Sequence, residues 1–419
     1  MKVYKLLPPP SERMGIILAL SSIKNSCVIE YGPEGTMHYA YGMIKKYNAE
    51  ANANFFTTGM KEKDIVFGDN ENLRNSILEV DKKYNPQVIF VIASSVCDII
   101  GTDVISICKE SALDVKAKVV AFDQIGFDKD YSVGIERVYT EFANIFAAKN
   151  EKRNEMSCNI LGASIDSYNY LSDLTEIKRI LKEYFDCNVN AVLTANSSIA
   201  EIENSNNASF NIVLRKEALK CAEIYKKRSN IPYYYGKLPY GIKGTLNWIK
   251  EISEKFNIPI NKEKLNVEKN RADNILKNFI LYQRTNRNRN IILSGSYDIL
   301  RSMYSFFNDE LNFNVKKMIV NHDNYGHLDI NMKNDLLCFY HDELQVIDAV
   351  ENYKNAMIIG DGILCNEYKN KRKTYQISNP NYNKLNLYEY TPYVGFRGAI
   401  YFIQELRNFL EEVKNESKY

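Results

Sequence analysis

Short apolar, β-branched runs alternate with longer charged amphipathic stretches along this 419-residue chain, and that alternation constrains the fold more than any other feature. Strand followed by helix, repeated, builds parallel sheets covered by helices on both faces. The predicted strands are 15–20, 27–30, 88–93, 119–122, 159–162, 189–193, 210–213, 291–294, 315–320 and 356–359. Most run into Gly, Ser, Asp or Asn, the residues that turn a strand end into a helix start. Open α/β sheets bind their ligands at those ends.

Two polar segments interrupt the series. Residues 148–157 read AKNEKRNEMS, and residues 282–290 read YQRTNRNRN, each just before a fresh strand. Read as connectors, they divide the chain into three α/β lobes at 1–152, 153–285 and 286–419, each a Rossmann-like, doubly wound, mostly parallel sheet domain. The basic second segment has a competing reading as a phosphate or nucleic-acid patch. The charge balance speaks against it: 54 Lys plus Arg against 52 Asp plus Glu leaves +2, without the surplus of a dedicated nucleic-acid binder. No apolar stretch reaches the ~18 residues of a membrane helix. The opening ten residues do not read as a secretory signal either, so a cytoplasmic protein without a membrane partner is expected.

Eight cysteines are spread so widely that no CxxC pair forms, Cys97 and Cys108 being the nearest two. The histidines are His38, His322, His327 and His341. A metal site would need residues from distant segments or from another chain. No Gly-Lys-Ser/Thr of a P-loop is present, Gly241-Ile-Lys-Gly-Thr245 having the wrong order. Gly360-Asp-Gly-Ile-Leu-Cys365 lacks the third glycine of a dinucleotide fingerprint and reads as a strand-end turn. There is no Gly-x-Ser-x-Gly elbow. ATP hydrolysis and serine-hydrolase chemistry by this chain alone are therefore not expected.

The remaining segments are more informative as a set. In order they are Ser21-Ser-Ile-Lys-Asn25, Tyr31-Gly-Pro-Glu-Gly-Thr36, Glu62 to Asp69 with Leu73, Ser94-Ser-Val-Cys97 continuing to Asp103, and Ile125-Gly-Phe127. Then come Asn159-Ile-Leu-Gly162, Tyr168-Asn-Tyr170, Asp173 to Leu181, Phe210-Asn-Ile-Val213 and Ile231-Pro232. Ser294-Gly-Ser296 and Pro392-Tyr-Val-Gly-Phe-Arg-Gly-Ala399 close the series. This order resembles the component-1 family of nitrogenase, which includes the molybdenum-iron protein subunits, their cofactor-assembly scaffold homologues and the dark-operative protochlorophyllide reductase subunits.

The resemblance implies two homologous subunits of three α/β domains each, an iron-sulfur cluster at their interface, and electrons from a separate iron-protein ATPase. It places cluster ligands just before the first strand, after the glycine loop, and in the Ser/Thr-x-Cys segment. Here those places hold Pro8 to Pro10, Thr36 and Cys97. A cubane cluster takes four thiolate-like ligands, so Cys97 is the candidate single ligand and a partner chain would supply the others. The competing reading makes Cys97 a buried relic. Cys27, mid-strand, reads as a small buried hydrophobe.

The resemblance also places a cofactor-ligating cysteine just after strand 210–213 and a histidine shortly before the closing glycine motif. Those neighbourhoods read Leu214-Arg215-Lys216 and Leu385 to Thr391, so no molybdenum-iron cofactor is expected. Arg215 and Lys216 are candidate contacts for an anionic ligand, or else a basic helix start. Glu34, His38 and Tyr39 are candidate proton relays, or solvated loop residues. The resulting expectation is a nitrogenase-like oxidoreductase subunit of unnamed substrate. A scaffold for metal-cofactor assembly and a cluster-free structural or regulatory homologue are the alternatives.

Overall fold

A computed structural model describes residues 6–47, 51–67, 70–126, 128–149, 156–284, 289–323, 334–340, 343–382, 386 and 388–416. Parts of both polar connectors (150–155 and 285–288) lie outside these residues, as do Gly68, Asp69, Phe127, His327, His341 and Leu385. The first sheet contains β1 (Ser26–Tyr31), β2 (Asn54–Thr57), β3 (Val88–Ala93) and β4 (Lys118–Phe122), in the order β2-β1-β3-β4. The second contains β5 (Ser157–Leu161), β6 (Asn188–Val192), β7 (Phe210–Val213) and β8 (Tyr233–Tyr235), in the order β6-β5-β7-β8. The third contains β9 (Asn290–Gly295), β10 (Asn314–Val320), β11 (Leu337–Phe339), β12 (Met357–Asp361) and β13 (Thr374–Ser378), in the order β11-β10-β9-β12-β13.

Strand pairing within these sheets is parallel throughout. Each sheet starts at an inner strand, runs outward, then returns across that strand to continue the other way. The three reversal points, between β1 and β3, β5 and β7, and β9 and β12, are where such sheets open a crevice for ligands. Successive strand residues alternate between two cores, as the pleat requires. Val28, Phe90 and Ile92 enter the large core shared by all three sheets, while Cys27, Ile29, Ile89 and Val91 enter a separate core under the helices of the first lobe.

The predicted strand at 15–20 is instead part of a helix, Glu12–Leu20, with every residue but Arg13 buried. A helix enclosed on all sides has no polar face, so its sequence reads as a plain apolar run. It lies against helix Tyr131–Phe146 at two glycines. A Cβ at Gly15 would stand 2.0 Å from the carbonyl oxygen of Tyr131, and one at Gly134 would stand 1.9 Å from that of Glu12. The final helix, Gly395–Glu416, packs on helices Tyr170–Phe185, Gly241–Phe256 and Lys262–Gln283 of the middle of the chain. Its Phe402 also meets Phe306, Phe307 and Tyr375. No helix among the described residues is long and apolar enough to cross a membrane.

Candidate functional site at the strand ends

Each reversal point is occupied by side chains of the protein itself. At the first, Cys97 sits near the start of helix Ser95–Ile100, fully buried, its Sγ donating to the Tyr31 carbonyl at 2.9 Å and lying 3.3 Å from Ser94 Oγ. The chain crosses Ser94 closely at Gly32, where a Cβ would stand 2.6 Å from that of Ser94. An open cleft of about 510 Å³ borders Cys97 and is lined also by Gly101, Thr102, Asp123, Gln124 and Gly126. Thr36 lies on helix Glu34–Ile44 with its hydroxyl donating to Pro33 at 2.7 Å, and its carbonyl accepts from Arg13 at 2.9 Å. Arg13 in turn grips the fully buried Glu30 carboxylate at 2.5 and 2.9 Å. Glu34, His38 and Tyr39 face solvent on the same helix.

These residues do not by themselves fit a cubane cluster. Thr36 offers a neutral hydroxyl already committed to backbone, and Cys97 points its sulfur inward. No group of three or more His, Cys, Asp or Glu side chains is placed to hold a metal ion among the described residues. All eight cysteines are buried and none is joined in a disulfide, and burial pushes the Cys27 thiol up to about 11.

At the second reversal point Arg215 follows β7 and crosses β5 at Gly162. Gly162 has a φ of +98°, and a Cβ there would strike Arg215 Cγ at 2.7 Å, so only glycine admits the arginine stem. The guanidinium is held on two sides. Nη1 donates to both Asp166 oxygens at 2.9 and 2.7 Å, and Nε and Nη2 donate to Glu217 at 2.9 and 3.1 Å. The side chains are 7%, 5% and 5% exposed respectively. Two carboxylates thus take the donors that an anionic ligand would need. Neighbouring Lys216 donates its backbone N–H to Asp298 at 2.8 Å, and burial lowers its ammonium pKa.

Arg215 borders a cavity of about 60 Å³, room for a few waters, lined by Gly162, Tyr168, Asp173, Leu214, Tyr240 and Tyr393 among others. That volume and the apolar Leu214 do not fit a metal-sulfur cofactor. Asp173 anchors the closing glycine motif here. Its Oδ1 accepts from the N–H groups of Tyr393 at 2.7 Å and Val394 at 3.4 Å, and from Asn169 at 3.2 Å. Burial outweighs these bonds and raises the carboxyl to about 7.

Against about 3.9 in an unfolded chain, folding takes up a proton at Asp173 between the two values. Its contribution is therefore most favourable below pH ~4 and is lost as pH rises towards 7. Asp173→Asn keeps the acceptor and removes the charge. Urea unfolding at pH 8 is expected to show this variant more stable than the parent, with the two converging near pH 4. A variant less stable than the parent at pH 8 would refute the buried-charge reading.

At the third reversal point Ser294 Oγ donates to Asp361 Oδ2 at 2.6 Å. The other Asp361 oxygen caps helix Gly362–Tyr368 through the N–H groups of Ile363 and Leu364, at 2.9 and 3.0 Å. The Gly360 to Cys365 segment is thus the expected strand-end turn. Glu310 performs a similar task for helix Gly241–Phe256, accepting from Ile242 at 2.8 Å, so the Gly241 to Thr245 segment meets a carboxylate and not a phosphate.

Three doubly wound lobes, two of 2-1-3-4 and one of 3-2-1-4-5 strand order, with side chains of the protein itself set at their strand-end reversal points, define the class as a multi-lobed Rossmann-like α/β protein. The profile of the nitrogenase component 1 type oxidoreductases matches residues 11–411, and the chain belongs to that family. It is 27% identical over 243 residues to the nitrogenase iron-molybdenum cofactor biosynthesis protein NifE of Clostridium pasteurianum, covering 57% of this chain and 52% of that protein. The molybdenum-iron protein alpha chain of the same organism is 26% identical over 255 residues, covering 58% and 46%. A light-independent protochlorophyllide reductase subunit of Leptolyngbya boryana is 24% identical over 254 residues, covering 58% and 49%. The chain spans about half the length of these curated relatives. A solved structure titled nitrogenase Cp1 at pH 6.5 superimposes with a TM-score of 0.82 at 16% identity, covering 99% of this chain and 95% of that one, which establishes the shared fold.

Proposed function

We propose that this chain is one of two homologous subunits of a component-1-type reductase working in the cytoplasm, with an iron-protein ATPase as electron donor. In this reading the partner subunit supplies most ligands of an iron-sulfur cluster at the shared face, and Cys97 is the one thiolate this chain adds. The observation that carries it is Cys97 itself, at the carboxyl end of β3 beside an open cleft, within a family match that runs along residues 11–411. The substrate class stays unnamed, since Arg215 is neutralised internally and Lys216 is the remaining candidate contact for an anion.

A second reading has its own observation. The Cys97 thiol is turned inward onto Tyr31, and the Thr36 hydroxyl is tied to Pro33, which favours a cluster-free partner or an assembly scaffold. Anaerobic co-purification with a homologous component-1-type subunit and an iron-protein ATPase separates the two. The first reading expects iron and sulfide in the complex, ATP-dependent oxidation of dithionite, and a severalfold loss of iron in Cys97→Ala. Iron content unchanged by that substitution favours the second, and a colourless complex without turnover rejects the first.

A further inference from the structure

Residues 388–394 lead into the final helix and lie over the cavity of about 60 Å³ beside Arg215. Gly162 and Tyr240 line that cavity from the second lobe and Ser296 and Ile299 from the third, while Tyr393 and Val394 of this strap close it. Both are buried, whereas Tyr388 and Tyr390 stand exposed on the same strap with ring centroids 5.2 Å apart. The strap is thus a thin layer between solvent and the cavity.

Its hydrogen bonds to the second lobe gather on a single turn at the start of helix Tyr170–Phe185. Asn169 Nδ2 donates to the Thr391 carbonyl at 2.9 Å, and the Ser172 hydroxyl donates to that of Tyr388 at 2.7 Å. Asp173 Oδ1 takes the N–H groups of Tyr393 and Val394. Apart from this turn, the strap meets the second lobe at the isolated bridge between Val394 and Tyr240. It ends at Gly395, where a φ of +76° and the Glu176 carboxylate, 2.6 Å from the position of a Cβ, exclude a side chain. The strap therefore has a fixed end and one main latch.

The latch contains a titratable group, since burial raises the Asp173 carboxyl to about 7. The ionisable groups around it offer no compensation. Glu176 on its own helix adds to the rise, and burial keeps the Tyr240 phenol beside it in the cavity wall, like the Tyr393 phenol on the strap, above its ordinary pKa. Across the cavity Arg215 is shared between Asp166 and Glu217, and Asp298 is paired with Arg301. An ionised Asp173 is thus a buried charge without a counter-ion among the described residues, and lifting the strap is the nearest way to hydrate it.

We infer that residues 388–394 are a lid over this cavity, latched while Asp173 holds its proton and loosened once the carboxyl ionises. Such a lid seals the cavity in acid and lets water and small ligands exchange with it at neutral pH and above. With the strap open the hydrated carboxyl titrates near ~3.9, so the closed state binds the extra proton between about 4 and 7. Closure is therefore strongest below pH ~4, weakens about tenfold per pH unit up to 7, and changes no further above it. This goes beyond the reductase reading and does not depend on it.

Hydrogen exchange of the full chain, followed by mass spectrometry from pH 5 to 9 and corrected for the intrinsic exchange rate, tests the lid. The opening constant of the amides of residues 388–394 is expected to rise about 100-fold from pH 5 to 7 and to stay level from 8 to 9, at a protection far below that of β5. Asp173→Asn, which keeps the acceptor without the charge, should abolish the rise. Ser172→Ala should increase opening at every pH and leave the slope intact. A pH-independent opening constant in the parent, an unchanged rise in Asp173→Asn, or strap exchange as slow as that of β5, which would mean global unfolding, overturns the proposal.

Discussion

Arg215→Met is expected to destabilise the protein by about 3–5 kcal/mol, the cost of stranding a buried charge partner. Methionine fills much of the space of the arginine stem over Gly162, so the loss is electrostatic in origin. Asp166 and Glu217 would be left 5% exposed without a cation between them. The pH dependence should change sign as well. Burial raises the Glu217 carboxyl, but Arg215 more than offsets this and holds it at about 2. In the parent this contribution is therefore present above ~4.3 and is lost as pH falls through 2. Without Arg215 the carboxyl is raised, and stability should instead fall as pH rises. The triple variant Arg215→Met, Asp166→Asn, Glu217→Gln should recover most of the loss. Urea midpoints for the three proteins between pH 4 and 8 decide the matter, and a loss under 1 kcal/mol in the single variant would show the triad to be dispensable.

Gly134→Ala should destabilise by about 1–3 kcal/mol, although alanine is favoured over glycine within a helix by about 1 kcal/mol. The reversal follows from the 1.9 Å that a Cβ would leave to the Glu12 carbonyl on the facing helix. Backbone cannot yield as a side chain can, so helices Glu12–Leu20 and Tyr131–Phe146 must separate. Gly42 supplies the contrast, being an exposed helical glycine with nothing within 4 Å of its Cβ position. Gly42→Ala should stabilise by roughly 0.5–1 kcal/mol. Opposite signs for the two substitutions in denaturant unfolding are the expected result; the same sign for both would remove the close crossing as the cause.

The inner strands were legible in the sequence because they are continuous apolar runs, and the family was legible from the order of the glycine and Ser/Thr-x-Cys segments. The strands that escaped notice are β2, β8, β11 and β13, and all four lie at sheet edges. An edge strand is short and half exposed, so Tyr233–Tyr235 or Leu337–Phe339 carries neither a long apolar run nor a clean alternation. The error at 15–20 has the opposite cause, a helix too buried to show its period.

At the site, sequence singled out Arg215 but not its carboxylates. Asp166 lies far away in the chain, and nothing local announces that β5 and β7 will bring the two together. Asp173 stood in a recognised segment, yet its role depends on Tyr393 and Val394, which only the fold delivers.

The final helix, Gly395–Glu416, has a consequence for biogenesis. It covers helices of the middle lobe that leave the ribosome a whole lobe earlier, so that lobe waits with an uncovered apolar stripe while the third is made. Chains cut short before residue 395 would keep that stripe exposed.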